Sequence, residues 1–87
     1  MFSKKINFEL LVPEAHRVTL VGDFNTWDPN SIPMAREKSG NWKAELKLKP
    51  GRYEYKFVVD GEWWTDPANR EIAQNLFGSL NSVKEVL

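Results

Sequence analysis

Cysteine is absent from this 87-residue chain, and histidine occurs once, at His16. Disulfide staples are therefore excluded, as are Cys/His metal sites and Cys–His nucleophile pairs. His16, beside Arg17, reads as a solvated loop residue, and no metal site is expected. No apolar run reaches the ~18 residues of a membrane-crossing helix. The opening MFSKKINFELL lacks the long apolar stretch and small-residue cleavage site of a secretory signal. A soluble, cytoplasmic protein is the expectation. Excess charge is missing too: twelve Lys and Arg balance twelve Asp and Glu, with a pI near 6.6. Nucleic acid and anionic membranes attract proteins through phosphate, so neither is an expected partner. The G-x-S-x-G, P-loop and dinucleotide-binding signatures are also absent. The stretch DFNTWD at 23–28 spaces its acids somewhat like a calcium loop, but Trp27 stands where a ligand is needed and Asp28 where glycine is. Paired carboxylates for glycoside hydrolysis need a cleft that so small a domain has little room to build. Neither catalysis nor a cofactor is expected.

What the chain does have is aromatic side chains: four Trp, two Tyr and five Phe. Short alternating segments carry most of them, separated by turn signals and without sustained helical periodicity. In KINFELLV, Ile6, Phe8 and Leu10 share a face. RVTLVG turns Val18 and Leu20 inward, and Ile32 to Arg36 can form a short edge strand. WKAELKLK alternates Trp42, Ala44, Leu46 and Leu48 with charged residues. RYEYKFVVD puts Tyr53, Tyr55, Phe57 and Val59 on one side, and EWWT and NSVKEVL supply two more strands. Asp66 to Asn75 reads as a loop with at most a helical turn. About seven short antiparallel strands with half-polar faces predict a two-sheet, immunoglobulin-like β-sandwich, one domain filling residues 1–87. Phe8, Leu20, Trp42, Leu46, Tyr55, Phe57 and Trp64 are its expected core.

Two tryptophans resist burial. Asp60-Gly61 is a two-residue hairpin signal, which sets Val59 opposite Glu62, Val58 opposite Trp63 and Phe57 opposite Trp64. Cross-strand partners project to the same face, so Trp64 joins the core and Trp63 joins Glu54, Lys56 and Asp60 outside. Trp27 lies in VGDFNTWDP, where Asn25, Asp28 and Pro29 announce a turn. Two readings of Trp63 follow: an indole covered by a neighbouring loop, or an exposed platform beside a hydrogen-bond donor. A platform suits flat, amphipathic ligands such as a glucose ring, whose C–H face packs on an indole while its hydroxyls reach polar side chains.

GDFNTW at 22–27, PGRYEYKFVVDGEWWTDP at 50–67 and FGSLNSV at 77–83, in that order, resemble carbohydrate-binding module family 48. The likeness is to the glycogen-binding domain of the AMP-activated protein kinase β subunit and to the isoamylase N-terminal domain, and it runs from about Lys4 to the C-terminus. The resemblance implies a β-sandwich that binds α-1,4-linked glucan (glycogen, starch or maltooligosaccharides) without hydrolysing it. Its two stacking tryptophans carry over to Trp27 and Trp63, and its lysine donor to Lys56. The apolar residue, small hydroxyl and asparagine of its late loop carry over to Phe77, Ser79 and Asn81. The family pattern that the chain resembles has Leu and Thr where this chain has Phe77 and Ser79; the chemistry is kept, with a larger apolar group at 77. The alternative is a protein-interaction or regulatory domain that contacts a glycogen-metabolising enzyme or kinase and has little sugar affinity of its own.

Overall fold

The computed structural model describes residues 3–87. Eight strands follow one another: β1 (Lys4–Leu11), β2 (Val18–Gly22), β3 (Ala35–Arg36), β4 (Asn41–Leu48), β5 (Gly51–Val59), β6 (Glu62–Trp64), β7 (Ile72–Gln74) and β8 (Leu80–Val86). A single 3-10 turn, Asp23–Asn25, leaves β2. All strand pairs are antiparallel. They form a three-stranded sheet, β1-β4-β3, and a five-stranded sheet, β2-β5-β8-β7 with β6 also on β5. The all-β sandwich agrees with the alternation in the sequence. The strand not foreseen is β7, which lies in the stretch expected to be a loop. Three residues, Ile-Ala-Gln, are too short and too mixed to show a period, and β7 exists because β8 offers it a ladder.

The inward faces meet in an aromatic core. Phe8 and Tyr55 pack edge to face at 4.9 Å, and Tyr55 and Phe57 at 5.8 Å. Trp42 is buried with its Nε1 donating to the Val12 carbonyl at 3.2 Å, so the indole brings no unpaired donor inside. Leu46 and Trp64 are only partly buried, at the edge of this cluster. The Tyr55 hydroxyl donates to Asp66 Oδ2 at 2.7 Å and accepts from Asn69 Nδ2 at 3.0 Å. Burial pushes the Tyr55 pKa well above the usual tyrosine range; the Asn69 bond opposes this and Asp66 adds to it.

The five-stranded sheet is what positions the site. Its strand β5 pairs with β2 over Tyr55–Val59, with β8 over Gly51–Tyr55 and with β6 over Phe57–Val59. Tyr55 is shared by β2 and β8, and Phe57 by β2 and β6. Strands β6 and β8 therefore lie end to end along one flank of β5, opposite β2. The outer face of this sheet collects Glu54, Lys56 and Val58 from β5, Trp63 from β6 and Asn81 from β8. Near β2 that face is covered: Thr19 and Val21, paired with the outward Val58 and Lys56, are nevertheless buried.

Candidate functional site

The β5–β6 hairpin has the register its turn residues dictate: Val59 opposite Glu62, Val58 opposite Trp63, Phe57 opposite Trp64. Asp60 and Gly61 both have positive φ, 48° and 87°, as the tight two-residue turn requires. The Asp60 carboxylate accepts from the His16 and Arg17 backbone N–H groups, which ties the turn to the loop before β2. Trp63 is thereby sent outward and stays 48% exposed.

Trp27 arrives by a different route. Gly22 is required where the chain leaves β2, because a Cβ there would stand 2.6 Å from the Glu54 carbonyl oxygen. The 3-10 turn then packs Phe24 inward against Phe8, at 5.5 Å. Thr26 and Trp27 follow with φ of 57° and 59°, a conformation rare for bulky side chains. Hydrogen bonds hold it there. Asn25 Oδ1 accepts from the Gly22 N–H at 3.0 Å, and Asn25 Nδ2 reaches the Asp28 carbonyl at 2.9 Å and Ser31 Oγ at 2.8 Å. The Trp27 N–H donates to the Gly22 carbonyl at 3.0 Å. Asp23 then fixes the ring: Oδ1 accepts from Trp27 Nε1 at 3.1 Å, while Oδ2 accepts from the Glu54 N–H at 2.8 Å. The turn thus answers for two aromatics, Phe24 as anchor and Trp27 as a partly buried wall of the site.

The third wall is the loop between β7 and β8. Asn75 Oδ1 accepts from the N–H groups of Phe77 and Ser79, at 2.9 and 3.1 Å, and so bends the chain back. At the tip Leu76 and Phe77 are almost fully exposed. Beneath it Ser79 Oγ accepts from Lys56 Nζ at 2.8 Å.

Between these walls lies an open groove of about 410 Å³, lined by Asp23, Trp27, Glu54, Lys56, Trp63, Asn75, Leu76, Phe77 and Asn81. Five of the six residues expected from the sequence, Trp27, Lys56, Trp63, Phe77 and Asn81, line it. The sixth, Ser79, is not in the lining and meets it only through Lys56. Asn81 lies deeper than expected for a residue that binds a ligand directly. It is buried, its Nδ2 donates to Glu54 Oε1 at 3.0 Å, and its Oδ1 faces Asn75 Nδ2 at 3.5 Å. Sequence reasoning does not single out Leu76 at the loop tip, nor the three polar residues Asp23, Glu54 and Asn75. Glu54 carried a usable signal, since it shares its outward phase with Lys56 and Trp63. Asp23 and Asn75 act through side-chain bonds to their own loops, which periodicity does not report.

Glu54 joins the parts. Its Oε1 holds Asn81 and its Oε2 accepts from Arg52 at 2.9 Å. The hydrogen bonds from Asn81 and Arg52 keep its carboxyl below the usual glutamate range, against a weaker opposing effect of burial and with the Arg52 charge helping. The groove therefore presents a half-exposed indole (Trp63), a partly buried one (Trp27), an apolar loop tip, a cation and two carboxylates. Among the described residues no cluster of three or more His, Cys, Asp or Glu could hold a metal ion.

A family profile described as the glycogen recognition site of AMP-activated protein kinase matches residues 6–87. The chain belongs to this family. Membership makes it a non-catalytic carbohydrate-recognition domain. Among curated proteins it is 38% identical over 69 residues to the 5'-AMP-activated protein kinase subunit beta-1 of Sus scrofa, covering 79% of this chain and 53% of that protein. It is 41% identical over 61 residues to Protein FLOURY ENDOSPERM 6, chloroplastic, of Oryza sativa subsp. japonica, covering 70% of this chain and 11% of that protein. To Protein PTST homolog 2, chloroplastic, of Arabidopsis thaliana it is 43% identical over 53 residues, 61% of this chain and 10% of that protein. The chain thus spans between about a tenth and about half the length of these relatives.

Proposed function

We propose that this domain binds α-1,4-linked glucan (glycogen, starch or maltooligosaccharides) by packing neighbouring glucose rings on Trp27 and Trp63. The observation that carries the reading is convergence. Two indoles from separate elements line one groove whose floor is polar, and such a groove suits a ring with apolar faces and a hydroxyl rim. Lys56 donates to sugar hydroxyls, since one of its three N–H bonds goes to Ser79 and the others remain. Phe77 closes the side of the groove against the chain of sugars. Each site alone is weak, because a flexible oligosaccharide loses freedom on binding; a polymer gains by repeating the epitope.

Kinase relatives favour a second role beside this one, the targeting of a larger enzyme assembly to glucan particles. One structural feature suits a protein contact. Ile72 and Leu80 share the core-side phase of Ser82 and Tyr55 yet remain exposed at the β7 edge.

Native gel electrophoresis with and without glycogen tests the sugar reading. The wild-type domain should be retarded, whereas Trp63→Ala should migrate as in the sugar-free gel and melt within about 1 kcal/mol of wild type, as for an exposed side chain. An early-melting Trp63→Ala whose folded fraction binds normally would show that the indole is structural and the platform misassigned.

A further inference from the structure

We propose that Glu54 is itself a sugar-binding residue, accepting glucan hydroxyl donors at the centre of the groove; this rests on the glucan-binding reading above. A glucose unit brings several O–H donors, and a site that recognises it needs acceptors placed for them. The groove's polar floor consists of Asp23, Glu54, Lys56, Asn75 and Asn81. Lys56 only donates. Asn81 is buried with its Oδ1 facing Asn75 Nδ2 at 3.5 Å, and Asn75 Oδ1 already accepts two backbone N–H groups. Asp23 uses one oxygen on the Trp27 indole and the other on the Glu54 backbone.

Glu54 keeps as many acceptor positions as Asp23, and unlike Asp23 it stands beside Lys56 on the sheet's outer face. A carboxylate offers about four acceptor positions. Asn81 and Arg52 occupy one on each oxygen, so two remain on a side chain that lines the groove. Both oxygens are already held, so the group is fixed in place before a ligand comes and little freedom is lost on contact. Its side chain is 23% exposed, enough to be reached and dry enough to strengthen the bond. The bonds from Asn81 and Arg52 also favour the charged form, the better acceptor. Glu54 stands two residues from Lys56 on one outward face, so a donor and an acceptor sit side by side along the strand. Neighbouring hydroxyls of one ring fit such a pair.

Maltoheptaose is the probe. Calorimetry on wild type, Glu54→Gln and Glu54→Leu should show a several-fold loss for Gln, which keeps one acceptor, and a loss of about tenfold or more for Leu, which keeps none. The thermal melts record whether each variant is folded. In the wild-type domain, the Glu54 carboxyl carbon resonance should move on saturation with maltoheptaose, while that of Glu45, on the other sheet, should stay. A stationary Glu54 resonance at saturation, or a folded Glu54→Leu that binds like wild type, overturns the proposal. Should Glu54→Leu fail to fold, the resonance and Glu54→Gln decide. A wild-type domain that binds no maltoheptaose overturns the glucan reading itself, a result distinct from either of these.

Discussion

Trp27 and Trp63 face the same groove, but the chain delivers them by opposite means. Trp63 rides a strand, and three paired positions and a two-residue turn set its direction. Trp27 rides a loop in a left-handed conformation that its own side chain disfavours, held by bonds from Asn25 and Asp23. A strand positions a side chain through backbone ladders, which tolerate most changes of sequence. A loop does so through particular side chains, and each is a point of failure. The strand-borne indole should accordingly depend on register, and the loop-borne one on individual hydrogen bonds.

The largest effect expected from that contrast comes from one added glycine between Asp60 and Gly61. It would move β6 by one residue and exchange the faces of Trp63 and Trp64. Glucan retention should vanish, and stability should fall by about 2 kcal/mol or more as Trp64 leaves the edge of the core. Denaturant melts and glycogen gels on the same sample check both. Unchanged retention would mean that the platform does not depend on strand register.

Asp23→Ala should do less. It frees the Trp27 indole and the Glu54 N–H, with a stability cost of about 1–2 kcal/mol for two lost hydrogen bonds near the surface. Binding should weaken several-fold. In a double-mutant cycle Asp23→Ala should add little once Trp27 is already alanine, because both changes remove the same oriented ring. Full additivity would show that Asp23 does not act through Trp27.

The same contrast explains what could be seen in the sequence. Period-two alternation and an Asp-Gly turn imply a sheet, a register and a face, so Trp63 and Lys56 were placed outward from residue order alone. Phe8, Leu20, Trp42, Tyr55 and Phe57 were likewise recognisable as core. The burial of Thr19 and Val21 was not, since alternation with Val18 and Leu20 gives them the outward phase. Nor was the engagement of Asn81 by Glu54, a contact between residues 27 positions apart. For Trp27, Phe77, Ser79 and Asn81 the resemblance supplied what the pattern lacked, because loop geometry leaves no period to read. Strand β7 escaped both, being defined by its partner rather than by its own three residues.

The smallest expected effect concerns the carboxylate that links the two halves of the groove. The backbone of Glu54 is bonded to Asp23, on the Trp27 side, and its carboxylate to Asn81, beneath the Phe77 side. Its pKa lies below the usual glutamate value, so the folded protein holds the charged form more tightly than the unfolded chain does. The stabilisation is complete above the usual glutamate range and fades as pH falls through the lowered pKa, where the folded state also takes up the proton. Glu54→Gln lacks this contribution at every pH. The melting temperatures of wild type and Glu54→Gln should therefore differ at neutral pH and converge in acid. The convergence should be modest, because the carboxylate is only partly shielded from water. Trp63 fluorescence should keep its neutral-pH character through this range, because the β5–β6 ladder contains no titrating bond to Glu54. A melting gap that widens in acid would mean that Glu54 is strained in the folded protein rather than held by Asn81 and Arg52.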